Sequence, residues 1–347
     1  MAFLEIDGSQ GEGGGQILRT ALAFSVIKDQ PVRVSKVRAG REVPGLRRQH
    51  VSALRVLAEI FDGELTGAVE GSSQVSFSPG NMRVRDLSID MKTAASITLV
   101  LQAVVPAVAL SGSSVTLDLQ GGTDVPWSPS FDYFGTVVQE AYAAIGIKFG
   151  AKALRRGYYP RGGGRVTASI QPSEGIRHVD LVTPPSNHDV QVISRCAMLP
   201  SHVAERQMGT ALSVLRGAGC KVSEARATSD DALSPGSSIL VSTVGGGEFL
   251  GSDSLGKKGT PAEEVGRTAA ESLVGAVRSG ATLDSNLADM VLPLLSLGEA
   301  PSRARVPKVT PHLETSLAIA KQFTSCSYRQ TRTEPGWMIE VAPANSH

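Results

Sequence analysis

A chain of 347 residues, 41% apolar and 19% charged, is long enough for one large domain or two and has the make-up of a soluble globular protein. A formal net charge of +1 excludes a global nucleic-acid signature, so any basic surface must be local. Three scattered cysteines, Cys196, Cys220 and Cys326, exclude a structural zinc pattern, and the most apolar segment, 99–110, is too short to span a bilayer. With no signal peptide at the start, the cytoplasm is the default expectation.

The first apolar run, Ala2 to Ile6, reads as a strand entering a glycine-rich stretch, Asp7-Gly-Ser-Gln-Gly-Glu-Gly-Gly-Gly-Gln-Ile-Leu-Arg19. Ile17, Leu18, Ala21, Leu22 and Val26 leave that stretch at helical spacing. A strand over 32–38, a basic loop from Arg38 to His50, a helix through Val51, Leu54, Leu57 and Phe61, and two short strands over 64–69 and 73–77 complete the order βαβαββ. The same order recurs as a strand over 84–89, a helix over 98–110, a strand over 114–119, a helix over 131–145 and two strands running to Gln171. A third copy begins at 178–182, breaks off, and resumes with a helix over 286–297, a strand over 303–306, a helix over 311–323 and two closing strands. The interruption, with boundary cues in Thr183-Pro-Pro-Ser-Asn187 and Ser234-Pro-Gly-Ser-Ser238, reads as an inserted α/β domain. The fold class expected is therefore α/β (α+β): three repeated βαβαββ two-layer modules with a smaller α/β domain inserted in the third. The boundaries expected are 1–182, 183–279 and 280–347.

The first loop carries the strongest chemical signal. Its glycines allow close backbone approach, and the amides at the helix start suit an anion. The spacing is neither GxGxxG nor GxxxxGK[ST], which excludes a dinucleotide fold of that type and a P-loop. Glu12 within the glycine run is a candidate ligand for a divalent cation, and Arg19, one turn into the helix, can fork onto a phosphate. Arg38 and Arg41 bracket a glycine in a loop made rigid by Pro44-Gly45, which makes both guanidiniums candidates for the same cleft, the alternative being a solvated charge run. Arg155, Arg156, Arg161 and Arg165 cluster around a second glycine run and form a candidate patch for an RNA backbone. Near the C-terminal end, Thr310 is a candidate N-cap and Pro311 fits the first helical position, which puts His312 in the first turn. On pattern alone that histidine is a surface or capping residue.

The opening stretch closely resembles that of the RNA 3'-terminal phosphate cyclases, and so does Arg38-Ala-Gly-Arg41-Glu-Val-Pro-Gly-Leu-Arg-Arg-Gln49-His50. Gly121-Gly-Thr-Asp124 and Gly157-Tyr-Tyr-Pro-Arg-Gly-Gly-Gly164 are similar to further signatures of the family, and its three modules with an insert in the third match the order read above. The resemblance implies a ligase-type nucleotidyl transferase that uses ATP and Mg²⁺ or Mn²⁺. It would convert an RNA 3'-phosphate end to a 2',3'-cyclic phosphate through adenylated His312. It also implies that Gln49, His50 and Pro129 line the nucleotide and RNA-phosphate site, that Phe249 supplies a stacking ring, and that Asp289 orients groups around the nucleophile. Asn286 and Met290 fall near the adenine and differ from the family's common choices there. Two other readings stay open: a non-catalytic cyclase-like RNA-binding or ribosome-assembly protein, which the presence of His312 disfavours, and an enolpyruvyl transferase, which needs a longer chain. No membrane partner is expected, and a homodimer is left open.

Overall fold

The computed structural model describes residues 2–11, 14–83 and 86–344. Glu12 and Val84, where the sequence places a cation ligand and the start of the second unit, lie outside the described residues. β1 (Leu4–Asp7), α1 (Gly15–Ile27), β2 (Val32–Ser35), α2 (Arg48–Ile60), β3 (Glu64–Thr66) and β4 (Val75–Ser78) form the first run. Their sheet has the order β1-β2-β4-β3, with β1 and β2 parallel and the other two pairs antiparallel. The alternating Val32 and Val34 point inward from β2 while Arg33 and Ser35 sit half exposed, as a sheet covered on one face requires.

The second run is β5 (Asp86–Asp90), α3 (Ile97–Leu110), β6 (Val115–Gly121), α4 (Phe131–Tyr133), α5 (Gln139–Ala144), β7 (Phe149–Arg155) and β8 (Gly164–Ile170). A π-helical segment, Phe134–Val138, joins α4 to α5, so the helix expected over 131–145 is present with a wider middle. The strand order, β5-β6-β8-β7, repeats that of the first sheet, as do the pairing directions. The third sheet joins β9 (Asp180–Leu181) to strands far along the chain. They are β14 (Ser302–Val306), β15 (Ser327–Arg332) and β16 (Trp337–Ala342), in the order β9-β14-β16-β15. β9 and β14 pair in parallel, and Arg303 donates to Asp180 across 123 positions of sequence at 2.9 Å.

Between β9 and β14 the chain makes a fourth sheet, order β11-β10-β12-β13, and the helices that lead back. Its strands are β10 (Asp189–Ala197), β11 (Lys221–Asp230), β12 (Gly236–Thr243) and β13 (Gly251–Leu255). Helices α6 (His202–Gly217) and α7 (Ala262–Arg278) pack on it over a buried cluster that includes Val192, Leu215, Val241, Val265 and Leu273. Gly266 lets α7 close on α6, because a Cβ there would strike the backbone carbonyl of Gln207. After α7 come α8 (Ser285–Val291), a 3₁₀ segment Leu292–Leu297 and, beyond β14, α9 (Pro311–Thr324).

One apolar core runs through the three like-ordered sheets and their helices. Its middle is α3, whose sequence is apolar on every face and which is buried at thirteen of fourteen positions, so it lies within the protein rather than on it. α1 packs against both α3 and α9, and the rings of Phe24 and Phe323 lie 5.7 Å apart between α1 and α9. Because α1 begins in the glycine loop and α9 carries His312 in its first turn, this packing sets two helix starts side by side. Among the described residues no helix is long and apolar enough to cross a membrane.

Candidate active site

The floor of the site is the start of α1. Gly14 caps it in an extended conformation and brings no side chain of its own to the first amides of α1, which suit an anion. Several side chains converge on Gly14 and its neighbour. The place a Cβ would take on Gly14 lies 3.4 Å from Arg41 Nη2 and 3.8 Å from His312 Cε1. A Cβ on Gly15 would run into His50 Nε2 and come within 3.0 Å of Arg19 Nη1. A side chain at 15 would push His50 away, which is the local reason for glycine there, whereas at 14 a Cβ would only touch Arg41 and His312.

Above this floor is a cavity of about 380 Å³. Arg19, Pro129, Asn286, Asp289, Met290 and His312 all line it, so six of the residues expected from sequence come together. His312 is half-buried in the first turn of α9, where Pro311 takes the first helical position. Thr310 caps the helix as expected: its hydroxyl accepts from the Leu313 amide at 3.0 Å and donates to Asp289 Oδ1 at 3.0 Å. Asp289 thus fixes the cap from which His312 projects. Burial lowers the Arg19 guanidinium to about 10, with Asp289 opposing that shift.

Gln16 and Gln102 tie the helices together beneath the cavity. Gln16 Nε2 donates to Ser316 Oγ of α9 at 3.2 Å, and its Oε1 accepts from Arg19 Nη2 at 2.8 Å and from Gln102 Nε2 at 3.3 Å. Arg19 Nε donates in turn to Gln102 Oε1 at 3.0 Å. The Arg19 side chain is thereby held in one orientation from two helices.

The basic loop divides its labour. Arg38, at φ 54°, turns Nη1 back onto the carbonyls of Val43 and Gly45 at 2.9 and 3.0 Å, so it braces the loop, whereas Arg41 reaches Gly14. Gln49 and His50 share a smaller cleft with Gly15 and Arg19. His50 is only 6% exposed, and its Nδ1 accepts from the Arg47 amide at 3.1 Å, closing the start of α2. Burial first, then the charges of Arg19, Arg38 and Arg47, push this imidazole from 6.5 down to about 3. The unfolded chain therefore takes up a proton that the folded one refuses, so the contribution is intact above pH 6.5 and is lost as pH falls toward about 3. Between pH 6.5 and about pH 5 the loss from His50 alone is expected to be about 1.5 kcal/mol. Urea unfolding of wild type and His50→Gln across that range checks this. The variant should show the shallower pH slope, and equal slopes would mean that another group carries the effect.

Some expected residues stand apart. Phe249 is half-buried against the core, bridged through its backbone to Leu283, and is not among the residues lining the cavity. β13 instead supplies Asp253 and Leu255 to that wall. The arginine patch around the second glycine run does not form. Arg156 is buried in ion pairs with Asp124 and Asp132, Arg165 is spent on Asp118 at 2.6 Å, and Arg155 donates to the Gly163 carbonyl. Arg161 and Arg165 stay exposed, and of these Arg161 enters no ion pair among the described residues. The residues missed are Gln16, Gln102, Asp253 and Trp127. A lone glutamine amid the apolar run of α3 and a tryptophan within Val-Pro-Trp-Ser-Pro were the available signals for two of them.

Comparison with known proteins identifies the family. A family model described as RNA 3'-terminal phosphate cyclase matches residues 10–330. Three relatives carry that same name. One from Caldivirga maquilingensis is 41% identical over 331 residues, covering 94% of each chain. One from Methanopyrus kandleri is 40% identical over 351 residues, covering 99% of each. One from Pyrococcus furiosus is 42% identical over 320 residues, covering 92% of each.

Proposed function

The chain belongs to the RNA 3'-terminal phosphate cyclase family, and on that premise we propose that it converts an RNA 3'-phosphate end to a 2',3'-cyclic phosphate at the expense of ATP. A ring nitrogen of His312 attacks the α-phosphorus of ATP, the bond to pyrophosphate breaks, and the ring proton goes to solvent, leaving a phosphoramidate. An oxygen of the RNA 3'-phosphate then displaces the histidine and takes the AMP. The neighbouring 2'-OH attacks the activated RNA phosphorus, AMP departs with the bonding pair, and the hydroxyl proton is released. That last step is intramolecular, so orientation and charge neutralisation carry most of it.

The observation that supports this reading is the meeting of His312 and Arg41 over Gly14, at the open start of α1. A phosphate on those amides would lie beside the imidazole, with Arg19 and Arg41 countering its charge. Asn286 and Met290 would then bound the adenine. Asp253 and Asp289 give the cavity oxygen donors of the kind a hard cation takes. We assign Mg²⁺ or Mn²⁺ to Glu12 with the substrate phosphates; when bound it would neutralise them. Residues 183–279, in the same reading, are an inserted domain whose strand β13 closes one wall of the cavity.

The direct test is an oligoribonucleotide carrying a ³²P-labelled 3'-phosphate, incubated with the protein, Mg²⁺ and ATP. The label should become resistant to phosphatase only when ATP is present, and regain sensitivity after mild acid opens the ring. A label that stays phosphatase-sensitive with folded protein would refute the reading.

A further inference from the structure

Next to the cavity lies a second groove of about 580 Å³, and Trp127 lines both. Its walls bring Arg47, Arg48, Lys92 and Arg161 together with a single carboxylate, Glu70, which Arg48 already engages at 3.0 Å. Lys92 and Arg161 are exposed and enter no ion pair among the described residues. In a chain of net charge +1 this is a marked local excess of positive charge.

The groove also gathers aromatic surface. Among the described residues, the exposed large apolar side chains include two aromatic ones, Trp127 at 95% and Tyr159 at 67%, and both line this groove. Trp127 is mounted rigidly. It holds φ 62°, a left-handed conformation costly for a bulky residue, between buried Val125 and a turn held by three hydrogen bonds. Ser128 Oγ donates to the Val125 carbonyl at 2.8 Å, Thr98 Oγ1 to the Pro129 carbonyl at 2.8 Å, and the Ser130 amide to Asp253 Oδ2 at 2.5 Å. An indole held out into water on so stiff a support is organised for a flat partner.

We propose that this groove is the docking path for the last few nucleotides of single-stranded RNA. Trp127 stacks on a base beside the 3' end, Tyr159 on a base further back, and Arg47, Lys92 and Arg161 follow the phosphates. The inference rests on the cyclase reading above, since it is the cavity holding His312 into which the strand would deliver its 3'-phosphate. Stacking on fixed aromatic rings with a cationic track accepts any base and prefers a single strand, because a duplex hides the base faces.

The test uses the full-length protein and a fluorescent hexaribonucleotide 3'-phosphate, with affinity read by anisotropy over a range of salt. Trp127→Ala is expected to weaken binding about 5- to 100-fold, and Trp127→Phe to retain most of it. Lys92→Gln with Arg161→Gln should reduce the slope of log K against log salt by about 1.4. Self-labelling by α-³²P-ATP, read in the same proteins, separates this proposal from its parent. RNA affinity and salt slope equal to wild type in all three variants would overturn the groove. So would a Trp127→Ala that needs more ATP for labelling while binding RNA normally, since the indole would then hold the nucleotide base. Absence of label even in wild type would sink the cyclase reading, with the RNA affinities still deciding the groove.

Discussion

Replacing His312 with alanine is expected to abolish covalent labelling by α-³²P-ATP and to lower cyclisation of an RNA 3'-phosphate by roughly four orders of magnitude or more, the scale at which a covalent nucleophile is lost. The side chain is half-buried at the first turn of a helix whose cap is built by Thr310 and Asp289, and neither cap bond involves the imidazole. The variant should therefore keep its fold and its melting temperature. A synthetic RNA bearing a preformed 3'-phosphate–adenylate separates the steps. On His312→Ala it should still close to the cyclic phosphate, because closure needs only the bound geometry and charge neutralisation. Label on the alanine variant would mean that another residue is the nucleophile. Failure of the preformed adenylate to react would mean that His312 also serves the closing step.

Most of what was legible in the sequence was local. The glycine loop announced a close approach, and at Gly15 the lack of a Cβ is what lets His50 and Arg19 come in. Thr310-Pro311 announced the start of α9 because a cap and an N1 proline act within one turn. The repeated element order was readable because each strand and helix carries its own periodicity. Pairings across distance were not readable, and the two arginines Arg156 and Arg161 show why. They flank the same glycine-rich stretch and look alike in sequence. One finds Asp124 and Asp132, brought to it by the fold, and is buried, while the other stays exposed beside Trp127. Gln16 likewise is one polar residue at the end of a glycine run in sequence, and its use depends on Ser316, 300 positions away. Phe249 was placed by resemblance alone, and the strand pairing that carries the chain past it puts Asp253 and Leu255 at the cavity instead.

Truncating Arg156, which touches neither His312 nor its neighbours, should be as costly as emptying a core aromatic position. Its side chain is 6% exposed and faces Asp124 at 3.2 Å and Asp132 at 2.6 Å, with Asp230 at 3.9 Å. Arg195 on β10 completes the group, pairing with Asp132 at 2.6 Å and Asp230 at 3.2 Å. Two cations thus hold three carboxylates between the second sheet, α4 and the inserted sheet. Arg156→Ala leaves Asp124, fully buried at its side chain, with no counter-charge from this group, and a truncation of that kind costs about 3–5 kcal/mol. Arg156→Lys should recover little, because one ammonium cannot span two carboxylates as a guanidinium fork does. Pairing Arg156→Met with Asp124→Asn should recover part of the loss by removing the stranded charge together with its partner. Since Ser130, the residue after Pro129, caps α4, the same truncation should loosen the turn that carries Trp127 and weaken RNA binding along with stability. Thermal unfolding of the three variants decides the matter. A melting temperature for Arg156→Ala within a degree or two of wild type would show that the buried charges do not bind the inserted sheet to the rest of the protein.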